Sequence, residues 1–463
     1  MSRPRPGRSI VPFPKREGRT ASRLLFVSAG LLAACATGAF ADSGDEPDAV
    51  NPEIYDVHAQ FTEVTQYHPP FASPYRGPNS LDPGHRGDET IDGTVFAGVR
   101  LFPGLAAYAD AEVDQGFGLS DTLGVAGFPS GEAYKVGSAE PYVRLPRAFL
   151  RETIDLGGEA QTVKSDQNQL AGTHAADNIT ITLGKFSVTD IFDTNDYAHD
   201  PKQDFLNWSI IDAGAFDYAA DAWGYTYGAA AEWTQSWWTL RGGVFDLSRV
   251  PNDRALVRGF GQFETDAELE VREQFFGQNG KVKLLAFLNR GRMADYNDAV
   301  REGEATGTVP SVAKVRRYAS RPGLILNVQQ GLTETLGAFL RISVNDGHKE
   351  AYEFTEVNRS VSGGLSLSGK AWGRDDDTVG LAGVINGISG DARAYLAAGG
   401  LGILIGDGRL EHYDTERILE LYYKASVVEG VDLSADIQRV ENPGYNADRG
   451  PVSIFALRIH AEI

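Results

Sequence analysis

Trp223-Gly224-Tyr225-Thr226-Tyr227-Gly228-Ala229-Ala230-Ala231-Glu232-Trp233 sets Trp223, Tyr225, Tyr227, Ala229, Ala231 and Trp233 against Gly224, Thr226, Gly228, Ala230 and Glu232. Side chains of a strand point alternately to its two sides, so a period of two marks a β-strand with one oily face. Thr234-Gln235-Ser236 then makes a short turn into a second strand at 237–246. The same period runs outward in both directions. Leu105, Ala107, Ala109, Ala111 and Val113 alternate with Tyr108, Asp110, Glu112 and Asp114, and Val431, Leu433, Ala435 and Ile437 with Asp432, Ser434, Asp436 and Gln438.

Extended over the chain, this pattern predicts sixteen strands. They lie near 55–65, 93–102, 105–115, 147–156, 178–186, 222–233, 237–246, 262–274, 281–290, 318–329, 334–345, 357–369, 378–387, 414–427, 430–440 and 451–463. Short turns (Pro103-Gly104, Thr234-Gln235-Ser236, Gly331-Leu332-Thr333, Val428-Glu429-Gly430) alternate with long links near 66–92, 116–146, 187–221, 291–317 and 388–413. An even strand number with short turns at one end and long loops at the other is the pattern of bacterial outer-membrane barrels. A soluble sandwich would turn the oily face inward and would not sort its connections this way. With no helices to cover so many amphipathic strands, the oily face is expected to meet lipid and the polar face a watery lumen. The fold class is therefore all-β: a transmembrane antiparallel β-barrel of about 16 strands with short periplasmic turns and long extracellular loops. Tyr225, Tyr227, Trp233, Trp237 and Trp238 are expected to form part of an interfacial aromatic girdle.

The bulk properties agree. The 463 residues are 42% hydrophobic, with no apolar run long enough for a spanning helix. Arg19 and Arg23 precede an apolar core, Leu24 to Ala36, and Ala39-Phe40-Ala41 ends in small residues before Asp42. Basic, apolar and small-x-small in that order describe a secretory signal over residues 1–41. Leu32-Ala33-Ala34-Cys35 offers a second reading, lipoprotein processing with Cys35 lipidated. Residues 42–53 are an acidic, flexible lead, and 54–463 form the barrel. Cys35 is the one cysteine, so no disulfide framework is expected. Residues 1–41 hold seven Lys/Arg and one acid of the chain's 43 and 63, which leaves 36 basic and 62 acidic residues, a charge of −26. That sign disfavours nucleic acid and would favour cations in a lumen.

Residues 114–137, running Asp114-Gln115-Gly116-Phe117-Gly118 to Tyr134-Lys135-Val136-Gly137, resemble the carbohydrate-selective porin family of the OprB type. So do 184–224, with Gly184-Lys185-Phe186-Ser187-Val188-Thr189-Asp190, Asp204-Phe205-Leu206-Asn207-Trp208 and Asp221-Ala222-Trp223-Gly224, then Gly380 to Gly390, and Asp448-Arg449-Gly450-Pro451-Val452-Ser453. The resemblance covers about residues 55–463. It implies a sixteen-stranded channel in the Gram-negative cell outer membrane, with loops folded inward to narrow the pore, and uptake of glucose or related mono- or oligosaccharides. Phe455, Leu457, Ile459, Ala461 and Ile463 share a face of the final strand, the kind of segment that barrel assembly machinery reads, although the usual last residue is Phe rather than Ile463.

A neutral sugar needs donors and acceptors close together in a selective pore, with affinity weak enough for release. Arg100, Arg147, Arg151, Lys185 and Arg241 are assigned to the lumen, as are Asp110, Glu112, Asp114 and Glu232; ion pairs bracing the wall are the equal alternative. The loop Phe186–Asp221 is the constriction candidate, with Asp190, Asp193, Asp196, Tyr197 and Trp208 as its lead residues and Asp200, Asp204 and Phe205 beside them. Its aspartates lack the spacing of a twelve-residue calcium loop, so no cofactor or metal is assigned, and calcium stands only as a ligand-type alternative. Ala394 to Ile405 is expected to be a loop or short helix against the lumen wall, and Asp375-Asp376-Asp377 a solvated turn. The eight histidines show no metal-protease spacing, and no Gly-x-Ser-x-Gly element accompanies them. No catalysis is expected. The rivals to a sugar channel are a general cation-preferring porin and an outer-membrane hydrolase. The sequence does not set the oligomeric state.

Overall fold

A computed structural model describes residues 51–133, 136–275 and 277–463. Residues 1–41, read above as a signal segment and including Cys35, and residues 42–50 of the expected lead lie outside the described residues.

In the first half the strands are β1 (Tyr55–His68), β2 (Arg86–Phe102), β3 (Leu105–Gly116), β4 (Ser138–Arg144), β5 (Ala148–Val163), β6 (Gly172–Phe186), β7 (Thr226–Gln235), β8 (Trp238–Asp246) and β9 (Phe263–Phe275). The second half gives β10 (Gln278–Met293), β11 (Arg317–Gly331), β12 (Leu336–Asn345), β13 (Arg359–Ser368), β14 (Thr378–Gly387), β15 (Glu416–Val428), β16 (Val431–Glu441) and β17 (Val452–Glu462). Each pairs antiparallel with its neighbours, and β1 pairs with both β2 and β17, so the sheet closes. Both β4 and β5 pair with β3 and share one place in the wall, which leaves sixteen strand positions. All sixteen match the predicted strands.

One link was drawn too long. Within 116–146 the stretch Ser138–Arg144 is a strand, β4, not a loop. Pro141 and Pro146 lack the N–H of a ladder and blur the period. β4 tolerates Pro141 because it pairs with β3 alone among the described residues, leaving its other edge without a ladder to break.

The two faces of the wall separate by chemistry. Leu183, Leu240, Leu284, Leu324, Leu381, Leu419 and Leu457 are exposed and point outward, while Thr94, Asp110, Glu112, Asn327, Arg341, Glu420 and Gln438 are buried within. An apolar surface that encircles a sheet has no place in water and fits a bilayer. Trp233 and Trp237 stand on the outer face beside the short β7–β8 turn, packed with Trp238 at 5.1 and 6.3 Å. Tyr227 lies at the opposite end of β7, so the expected single girdle divides between two rims. Tyr225 belongs to neither: it precedes β7 and turns into the lumen. Trp223 does the same, because the strand starts at Thr226 rather than 222.

The interior is packed by chain folded in from the long-loop end. A short helix, Gly390–Ala397, begins the apolar stretch 394–405, whose Leu404 and Ile405 are buried. Asp377 is also buried, held by Arg374 and the Tyr423 hydroxyl, while Asp375 and Asp376 stay exposed.

Candidate functional site

Residues 187–225 leave the end of β6, cross the lumen and return to β7. Polar contacts strap this loop to the wall along its length. The Asp193 amide donates to Glu268 of β9 at 2.9 Å, and Asn195 donates to Asn327 of β11 at 2.8 Å. The amides of Leu206 and Asn207 meet the Glu420 carboxylate of β15, and Arg458 of β17 donates to the carbonyls of Pro201 and Asp204. Charged groups that accept backbone N–H bonds make the stronger kind of hydrogen bond, which suits a segment that must hold its place in water. At the far wall Tyr197 lies flat on Gly337, where a Cβ would fall 2.1 Å from the ring. Any larger residue there would push the Tyr197 ring off the wall.

A second element closes the space from the short-turn end. The β5–β6 hairpin runs on past the wall, and its tip turns back over the lumen. Arg151 donates to the Asn168 carbonyl at 2.9 Å, and the Asn168 amide donates to Asp110 at 3.0 Å. Arg100 ties the same tip to the start of the barrel through the carbonyls of Ala171 and Glu53, at 3.0 and 2.8 Å.

Between loop, hairpin tip and wall lies a cavity of about 500 Å³. Glu112, Arg147, Phe149 and Arg151 line it from the wall, Asp166 to Gln169 from the hairpin, and Asp190, His199, Lys202, Trp208, Trp223 and Tyr225 from the loop. Arg147 forks onto Asp190 at 2.6 and 2.8 Å and reaches Asp110 at 3.4 Å. Arg144 bridges Glu112 and Asp114. The two guanidiniums sit 4.9 and 5.0 Å from the centre of the Tyr225 ring, so the phenol face is boxed by cations. Lys202 pairs with Asp92 at 2.8 Å and with Glu132. Trp223 donates to the Tyr142 hydroxyl at 2.9 Å.

Charge pairing sets the loop's protonation. Burial works to raise the Asp190 pKa, but the Arg147 guanidinium outweighs it and holds the carboxyl below its ordinary value. Burial disfavours the His199 imidazolium, yet the Asp212 carboxylate 3.5 Å away holds its pKa above the usual range. Burial pushes the Tyr225 phenol up to about 12.

The sequence-assigned residues thus divide. Glu112, Arg147, Arg151, Asp190 and Trp208 line one cavity, with Asp110 and Asp114 directly behind their arginine partners. Arg100 braces the mouth. Glu232 and Arg241 face inward but belong to a separate network with Glu268 and Glu270. Lys185 is a correction: it shares the parity of Ile181 and Leu183 and points outward, pairing with Asp221 at 3.2 Å. A lysine is tolerated there because it stands at the rim, beyond the hydrocarbon depth at which a charge costs most. Asp193 is buried against Arg341 and acts as a strap rather than a pore-facing group. Asp196 and Tyr197 sit at the far wall, on Lys281 and Gly337. The loop's aspartates do not converge as a calcium site would: Asp190, Asp193 and Asp196 each pair with a different cation, while Asp200 and Asp204 accept from loop amides. Arg144, Lys202, Trp223 and Tyr225 were missed. The alternation Tyr142-Val143-Arg144 was a usable signal for the first. Lys202 sits in a loop without a period, and Trp223 and Tyr225 carry the period of the strand that follows but precede its start at Thr226, so their parity pointed to the wrong face.

Comparison with known proteins agrees with this geometry. The model of the family described as "Carbohydrate-selective porin, OprB family" matches residues 79–462. The structure of Pseudomonas putida OprB at high pH superposes with a TM-score of 0.64 at 14% identity, covering 88% of this chain and 94% of that one. The outer-membrane channel DcaP of Acinetobacter baumannii aligns at a TM-score of 0.49 and 9% identity, over 88% and 97% of the two chains. A search of curated protein sequences finds no match. The closed sixteen-position barrel, the inward loop and the family match over most of the chain lead to one conclusion: this protein belongs to the carbohydrate-selective porin family of the OprB type, channels of the bacterial outer membrane.

Proposed function

We propose that the channel passes small neutral sugars, glucose or its relatives, by passive diffusion through the cavity between residues 187–225 and the wall of β1 to β5. One observation carries this reading: within about 500 Å³ the cavity presents arginine donors, carboxylate acceptors and aromatic side chains together. Arg147, Arg151 and Lys202 supply donors, Asp190 and Glu112 acceptors, and Trp208, Trp223 and Tyr225 ring faces for a sugar's C–H side. Arg147 with Asp190, Lys202 with Asp92 and Glu112 with Arg144 are ion pairs, and Arg151 bonds the Asn168 carbonyl, so a hydroxyl gains a hydrogen bond without becoming trapped, which conduction requires. The mature charge of −26 favours the rival reading of a general cation-preferring pore. The final strand is proposed as the segment that assembly machinery takes up.

Purified protein in liposomes separates these readings. Glucose should swell the vesicles faster than an uncharged non-sugar of equal size, and Arg147→Ala should bring the two rates together. Equal rates in the parent protein would remove the sugar selectivity, and a strong cation reversal potential with equal rates would favour the general pore. An esterase assay on the same sample tests the hydrolase alternative.

A further inference from the structure

We infer that the outer rim of the barrel carries a binding site for the phosphorylated headgroup of an outer-leaflet lipid, built by the β8–β9 loop. Most long connections pack into or over the lumen. The loop 247–262 begins the same way, with Leu247 and Ser248 buried, but its second part leans outward: Arg258 lies over the Tyr227 ring, 5.5 Å from its centre, and Tyr227 stands on the lipid-side face of β7. Between loop and wall lies a groove of about 740 Å³, lined by Lys185, Asp221, Tyr227, Arg249, Arg254 and Arg258 with apolar residues 255–257.

Its height on the barrel identifies the occupant. Lys185 is next to last in β6, and Leu183 and Ile181, immediately below it on the same face, are exposed to lipid. The groove therefore sits where hydrocarbon ends and headgroups begin. It opens on the outer wall, away from the cavity that serves transport.

Its charge runs against that of the chain. The residues after 41 sum to −26, yet three arginines converge here and, among the described residues, none closes an ion pair. The neighbouring acids are committed elsewhere. Asp221 is taken by Lys185, Asp253 accepts the Ala255 amide, and Asp246 accepts the Phe260 amide, although it lies within the field of Arg258. Guanidinium forks match phosphate oxygens two at a time, and a cation near a headgroup layer gains from its negative potential. Tyr227 and residues 255–257 supply apolar contact for the first part of the acyl chains.

The test uses protein purified in detergent and read by native mass spectrometry. The probes are diphosphorylated lipid A, the same lipid with its phosphates removed, and inorganic phosphate. The parent protein should retain the diphosphorylated lipid. Dephosphorylating the lipid, or the triple change Arg249→Gln, Arg254→Gln and Arg258→Gln, should weaken retention at least tenfold. Inorganic phosphate at equal concentration should not displace the lipid. Sugar flux of the triple variant should equal the parent's, which shows the barrel intact; should the triple variant fail to fold, Arg254→Gln alone is scored for the same weakening. The inference is overturned if the parent does not retain the lipid, if the variant binds within twofold of the parent, if the phosphate-free lipid binds as tightly, or if free phosphate competes equally.

Discussion

Asp193→Ala should open the pore without unfolding the barrel. Asp193 and Arg341 are buried, their side chains 0% and 1% exposed, and the Arg341 Nε stands 3.2 Å from the carboxylate. The same carboxylate accepts the Asn327 amide at 2.6 Å and the Ala213 N–H at 2.7 Å. Removing one member of a buried pair leaves an uncompensated charge and costs about 3–5 kcal/mol. At 1.4 kcal/mol per factor of ten, that is roughly a 150- to 4,000-fold shift between docked and released states. The strand ladders lose nothing, so the penalty falls on the docking of residues 187–225, which should open locally. In planar bilayers the variant should show larger single-channel conductance with frequent closures, and in liposomes it should admit sugar and non-sugar alike. Heat-dependent gel mobility, which reports the closed barrel, should not change. Parent-like conductance and parent-like solute discrimination in a correctly folded Asp193→Ala protein would refute the assignment of this loop as the constriction.

Leu421 points to lipid near the middle of β15, so Leu421→Arg should cost about 2–4 kcal/mol in reversible folding into vesicles, whereas Leu421→Ile should cost far less. In the external loops His348 bonds Asp391, which raises the imidazole pKa. Because the folded value lies above the unfolded one, the clasp is complete below about pH 6.5 and weakens as pH rises through the folded pKa; hydrogen exchange in 390–397 should quicken over that range, and Asp391→Asn should abolish the dependence. In the short turn 369–377 the Arg374 guanidinium first, and the Tyr423 hydroxyl next, hold Asp377 down to about 2. That contribution is present above about pH 4 and lost as pH falls toward the folded value. Asp377→Asn should therefore loosen the turn at pH 7, measured by local proteolysis, and differ little from the parent near pH 2.

The strands were legible in the sequence because lipid outside and water inside impose one rule on every wall residue. β4 was the one segment missed, since Pro141 and Pro146 interrupt the ladder that carries the rule. Parity also decided the lumen side of Asp110, Glu112, Arg147 and Arg151, and Lys185 was misplaced only where its own parity with Ile181 and Leu183 was set aside. The loop residues were not legible in the same way. Trp208 and Asp190 were named for their chemistry, but nothing local distinguished them from Asp193 or Asp196, which the folded loop spends on straps to Arg341 and Lys281.

The sequence by itself determined the sixteen strand positions of the wall, their pairing order and the outward turn of the oily face, since these follow from a period of two repeated along the chain. Tertiary structure alone decided that Arg144, Arg147, Asp190, Trp223 and Tyr225 meet around one cavity. Those residues come from β4, the β4–β5 junction and the two ends of the long loop. What brings them together is the closure of the sheet and the anchoring of residues 187–225 to distant strands, contacts between residues that no local pattern relates.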